Sequence, residues 1–160
     1  MPDEVAPGLW LGDRADAKDR AALRRLKISS VVNCTPSRDQ DPSHGCPSFF
    51  EKDGSVRYLR VPIFDTVVED AGAHVPKVVD FVSSRLHHGG VLVHCNRGVS
   101  RSATFVVAYL MKHRGLDFDA ALAAVQAARA RALPNEAFTA QLKVYHGTLV
   151  AERARARARG

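Results

Sequence analysis

The sequence predicts a single α/β domain: a central, mostly parallel twisted sheet of about four to five strands, flanked by helices. Three features predict it. Short β-branched runs alternate with segments of helical period between Val5 and Val93. The run Val91-Leu92-Val93 is apolar throughout, too short for a helix and preceded by Gly89-Gly90, so it reads as a central strand buried on both faces. From Ser102 onward the chain reads as three helices.

The elements follow in order. Val5 to Gly12 reads as a short strand entered through Pro7-Gly8. Asp13 or Asp16 caps a helix expected to run to Leu26, with Ala22, Leu23 and Leu26 on one face. Ile28 to Asn33 is β-branched and reads as a strand. Cys34 to Gly54 has no period and is rich in Pro, Asp, Ser and Gly, the composition of a long loop with some hairpin character. Val56 to Val61 is a further strand, stopped by Pro62. A loop over Asp65–Ala73 leads to a helix started at Pro76, with Val78, Val79, Val82 and Leu86 as its apolar stripe.

The helix from Ser102 to Arg114 is apolar nearly all round, so it must be buried, and Gly115 ends it. Asp117 caps the next helix, which turns Phe118, Leu122, Val125 and Ala128 inward. Asn135 caps the last, with Phe138, Leu142, Tyr145 and Leu149 at near-heptad spacing.

Bulk properties narrow the function classes. The chain has 160 residues, 46% hydrophobic and 25% charged, which fits one domain able to bury a core without metal or disulfides. Cys34, Cys46 and Cys95 form no C-x-x-C pair and no disulfide framework, so no metal and no cofactor is expected. The start is not a signal peptide and no run is long enough to span a bilayer, so a soluble, cytoplasmic (or nuclear) protein is expected. The net charge is +6, and half of it comes from the end of the chain, where four arginines face Glu152 alone. Residues 1–150 are therefore taken as the folded domain and 151–160 as a basic, frayed tail, only weakly suggestive of an acidic lipid or nucleic acid partner.

The informative segment is VLVHCNRGVSRS, Val91 to Ser102. A buried strand ends at His94-Cys95, a loop of Asn96, Arg97, Gly98, Val99 and Ser100 follows, and Arg101-Ser102 opens a buried helix. Such a loop turns its backbone N–H groups on one spot, and the helix dipole adds to their field, making an anion site. Gly98 lets the backbone bend where a Cβ would interfere. The same field favours a thiolate at Cys95. The planar fork of Arg101 fits two oxygens of a phosphoryl group, which a lysine cannot do. Ser102 is placed to donate to the sulfur. His94 points away from Cys95 by strand alternation and is expected to hydrogen-bond loop backbone.

This segment resembles the His-Cys-x-x-Gly-x-x-Arg-Ser/Thr signature of protein tyrosine phosphatases. Its continuation Ala103-Thr104, then Ala108-Tyr109-Leu110-Met111, looks like the small, atypical dual-specificity subgroup, as do Leu9-Trp10-Leu11-Gly12, Val31-Val32-Asn33, and Pro134-Asn135 through Phe138 and Gln141-Leu142. The resemblance implies metal-free hydrolysis of phosphotyrosine and phosphoserine or phosphothreonine in a phosphorylated protein, in two steps through a phosphocysteine. It also implies a general acid on a mobile loop after a strand. Asp65 is the candidate, at the strand end after Val61-Pro62-Ile63-Phe64, with Glu69 and Asp70 as rivals on the same loop. Asn135 is read as a helix cap that supports the site. Asn33 either stabilises the signature loop or simply ends a strand.

Other residues have plainer readings. Arg97 is taken as solvated at its side chain, His87 and His88 as solvated, and Cys34 as structural rather than a resolving thiol. Competing functions are a phosphoprotein-binding module with little turnover, sulfur transfer, and a phosphatase for a phosphoinositide or RNA end. Lipid-directed relatives carry basic residues where this chain has Asn96 and Val99, which favours phosphoprotein.

Overall fold

The computed structural model describes residues 1–160. Its centre is a five-stranded sheet in the order β1-β2-β5-β3-β4. The strands are β1 (Asp3–Ala6), β2 (Leu9–Gly12), β3 (Ile28–Asn33), β4 (Arg57–Arg60) and β5 (Gly90–His94). β2, β5, β3 and β4 run parallel, and β1 is antiparallel to β2. The predicted first strand is thus a hairpin that turns at Pro7-Gly8, where Gly8 takes a φ of +77°.

Strand alternation sorts the core into two layers. Leu9, Leu11, Val32, Val91 and Val93 point into the main core with α3 (Val75–Arg85), α4 (Arg101–Arg114), α5 (Phe118–Ala128) and α6 (Glu136–Arg159). Val31 and Leu92 point the other way, into a small cluster with Ala17, Leu23 and Ile28. That second face is covered by α1 (Arg14–Lys18), α2 (Arg20–Arg25) and Phe49, Phe50 and Val56 of the segment before β4. Every residue of β5 is buried, and the side chains of Val91, Leu92 and Val93 each contribute about 1.5–3 kcal/mol by leaving water.

Two helices differ from expectation. The segment from Asp13 to Leu26 is two helices because Asp19 is extended there (ψ 88°) and its carboxylate accepts from Ala22 N at 3.0 Å, capping α2. The last ten residues, expected as a tail, continue a helix. α6 continues to Arg159, and Arg153 donates to the Met111 and Lys112 carbonyls at 2.8 and 3.2 Å, closing the C-terminal end of α4. Residues 34–56 contain no strand, only turns. No helix is long and apolar enough to cross a membrane.

Candidate active site

The loop from Cys95 to Ser100 leaves β5 at the C-terminal edge of the sheet and enters α4. This is where open parallel sheets place their ligands. Gly98 makes the turn with φ +67°, and a Cβ there would lie 2.6 Å from the Gly12 carbonyl oxygen. No other residue fits without moving β2's end. The backbone N–H groups of Asn96, Arg97, Val99 and Ser100 donate to no group of the protein, and the Gly98 N–H donates to Cys95 Sγ at 3.3 Å. Unspent donors on one tight loop at a helix start form an anion cradle.

Cys95 is 3% exposed and sits at the floor of a cavity of about 370 Å³. Ser102 Oγ lies 3.1 Å from its sulfur. Arg101 is buried too, and its Nη1 donates to the Ile63 carbonyl at 2.9 Å, which ties the cradle to the segment carrying Asp65. His94 faces away from the sulfur, with Nδ1 3.1 Å from the Cys95 carbonyl oxygen. Complete burial pushes its imidazolium down to about 4, against the hydrogen bond to Cys95, so the ring is neutral at physiological pH. The carbonyl takes the Nδ1 proton in that state.

Of the three candidate acids only Asp65 lines the cavity. Glu69 is folded back, accepting from Phe64 N at 2.7 Å, and Asp70 caps the turn at Ala73 N at 3.1 Å. Asn135 is the predicted cap, accepting from Phe138 N at 2.9 Å, and its backbone N–H reaches Ser100 Oγ at 2.9 Å.

Asn33 does not touch the signature loop. It donates to the Cys46 carbonyl at 2.9 Å and accepts from Thr35, so it organises residues 34–46 instead. Arg60 reinforces that loop through the Thr35 and Cys46 carbonyls, both at 3.0 Å. The loop supplies a cavity wall with Asp41 and His44, and Asn96 Nδ2 holds it through the His44 carbonyl at 2.7 Å. Neither wall residue was legible in a sequence segment without period. The Arg97 side chain is exposed at the cavity rim. Cys34 is fully buried, and burial pushes its thiol well up, the state of a structural cysteine.

Arg129 was also missed. It is 6% exposed and donates to the Arg97 and Gly98 carbonyls at 3.2 and 2.9 Å and to Asp3 at 2.8 Å. In sequence it is one of several arginines near a helix end, with nothing to mark it as the buried one.

A family model described as the catalytic domain of dual specificity phosphatases matches residues 9–148. The chain belongs to the dual specificity phosphatase family. It is 42% identical over 142 residues to human dual specificity protein phosphatase 26, covering 88% of this chain and 64% of that one. Against dual specificity protein phosphatase Mpk3 of Drosophila melanogaster it is 37% identical over 150 residues, covering 92% of this chain and 34% of the relative. The chain therefore spans between about a third and two thirds of the length of these curated relatives. The crystal structure of human DUSP28 superposes with a TM-score of 0.78 at 37% identity, covering 92% of this chain and 94% of that one.

Proposed function

We propose that this dual specificity phosphatase domain hydrolyses phosphotyrosine and phosphoserine or phosphothreonine in phosphorylated proteins, through a phosphocysteine on Cys95. The observation that carries the reading is the set of unspent N–H groups on Asn96, Arg97, Val99 and Ser100, on the loop that follows a sulfur already in contact with Ser102 and the Gly98 N–H. In the first step the Cys95 thiolate attacks phosphorus, the bond to the leaving oxygen breaks, and Asp65 gives that oxygen its proton. Nη1 of Arg101 is spent on the Ile63 carbonyl, which leaves Nε and Nη2 as a fork for two phosphoryl oxygens. In the second step Asp65 takes a proton from water, the hydroxyl attacks phosphorus, and the sulfur leaves as a thiolate steadied by Ser102. His94 and Asn135 hold the backbone that carries these groups. The three free thiols fit a reducing compartment, the cytoplasm or nucleus.

The test is hydrolysis of p-nitrophenyl phosphate and of phosphotyrosyl and phosphothreonyl peptides by the wild type and Cys95→Ser. Turnover of all three by the wild type, abolished in the variant, is expected. A wild type no faster than Cys95→Ser, yet retaining phosphopeptide, makes the domain a binding module.

A further inference from the structure

A loop that turns its N–H groups inward must turn its carbonyls outward. Two of those carbonyls, on Arg97 and Gly98, lie beneath Arg129, which follows α5. A buried carbonyl left without a donor costs roughly 1–3 kcal/mol, so a donor here holds the shape of the loop. The geometry goes further than shape. The carbonyl of Arg97 and the N–H of Gly98 belong to one peptide group. Arg129 Nη2 donates to its oxygen at 3.2 Å, and its N–H donates to Cys95 Sγ at 3.3 Å. A cation on the carbonyl end of an amide strengthens the N–H end as a donor, and in a dry site such chains reinforce one another.

We infer that Arg129 is a positioning residue that, through the peptide group joining Arg97 and Gly98, stabilises the anionic sulfur of Cys95, and that Asp3 moderates the charge it delivers. The inference rests on Cys95 being the nucleophile. Asp3 Oδ2 is paired with Arg129 Nη1 at 2.8 Å, across the sheet edge from β1. Asp13 lies farther off, 4.0 Å from Nη2, and shares its charge with Arg131 at 3.8 Å. The other titratable groups around Cys95 are Arg101 from α4, the thiols of Cys34 after β3 and Cys46 in the loop beyond it, and, on the cavity wall, Asp41, His44, Asp65 and Arg97; His94 is neutral and turned away. None of their side chains is hydrogen-bonded to or ion-paired with Arg129 or Asp3. The amino-terminal strand, outside the region of the family match, thereby acts on the reacting atom through one ion pair.

The test reads the sulfur directly. Alkylation of Cys95 by iodoacetamide is followed by mass spectrometry against pH, in the full chain, for wild type, Arg129→Gln, Arg129→Lys and Asp3→Asn, with thermal melts beside each. Arg129→Gln is expected to move the profile up by about half to one pH unit, a roughly three- to tenfold slower reaction on the acid side. Arg129→Lys restores part of that shift. Asp3→Asn keeps an acceptor but removes the countercharge, so it moves the profile the opposite way. A merely structural Arg129 predicts loosening in both variants and shifts of one sign. If Arg129→Gln does not fold, Arg129→Lys and Asp3→Asn still decide. An unmoved profile in Arg129→Gln, or an upward shift in Asp3→Asn, overturns the inference. Because alkylation needs no phosphate hydrolysis, these outcomes stay separate from the fate of the proposed activity.

Discussion

The side-chain amide of Asn135 donates to Asp65 Oδ1 at 3.0 Å and to the Thr66 carbonyl at 3.2 Å, joining two residues 70 positions apart. The same residue caps α6 and meets Ser100 Oγ through its backbone. One asparagine therefore fixes the acid loop, the phosphate cradle and the last helix relative to one another. Replacing it with alanine should cost about 1 kcal/mol through the lost cap, and lower kcat toward phosphotyrosyl peptides roughly three- to tenfold as Asp65 drifts. Asn135→Ser keeps the cap but is too short to reach Asp65. It should melt near the wild type while losing the same turnover. Normal kcat in that variant would show the tether to be idle.

Of the three candidate acids on its loop, Asp65 is the one on the cavity wall. Asp65→Ala should slow hydrolysis of phosphotyrosine by about 10²–10⁴-fold, because its leaving oxygen needs a proton. p-Nitrophenolate leaves without much help, so the loss there should be distinctly smaller. Equal losses on the two substrates would speak for a structural carboxylate rather than an acid.

Gly98 and Gly115 share a φ of +67° but differ in surroundings. A Cβ on Gly98 meets the Gly12 carbonyl and Arg129 Nη2 at 2.6 Å, whereas nothing lies within 4 Å of one on Gly115. Gly115→Ala should cost only the backbone penalty, about 1–2 kcal/mol. Gly98→Ala should cost more and reduce kcat/KM over tenfold, since the cradle must shift. Comparable urea midpoints for the two variants would contradict the tight approach seen here.

Burial holds the His94 imidazolium down to about 4, against an ordinary 6.5. Between those values the unfolded chain binds a proton that the folded chain refuses. The stability from His94 is thus whole above pH 6.5 and is lost as pH falls toward 4, by at most about 3 kcal/mol. Urea melts across that window should show stability falling with acidity in the wild type and a flatter dependence in His94→Asn. Equal slopes would mean that other groups dominate.

Much of the fold was legible because local chemistry agreed with it. β3 spans Ile28–Asn33 as its β-branched run suggested, and α4 starts at Arg101, where the loop signature ends. The break at Asp19 was not legible, because an aspartate inside a helical pattern caps a second helix only where its own backbone leaves the helical region, here at φ −87° and ψ 88°. The tail hid its one anchor for a related reason. Its arginines look like a solvated run until Arg153 meets the open carbonyls at the end of α4, which no local pattern reports.

By itself the sequence determined what depends on neighbours along the chain: a cysteine, a glycine turn, an arginine and a hydroxyl spaced so that one strand-loop-helix must bring them together. Only the tertiary structure decided what crosses that loop from outside. It set Asp65 rather than Glu69 or Asp70 on the cavity wall, gave the Asn33 side chain to the loop around Cys46, and brought Arg129, with Asp3 paired to it, against the peptide joining Arg97 and Gly98. The physical reason is range. Backbone geometry propagates over a few residues, whereas buried hydrogen bonds and ion pairs join whichever distant groups the packed core brings within reach.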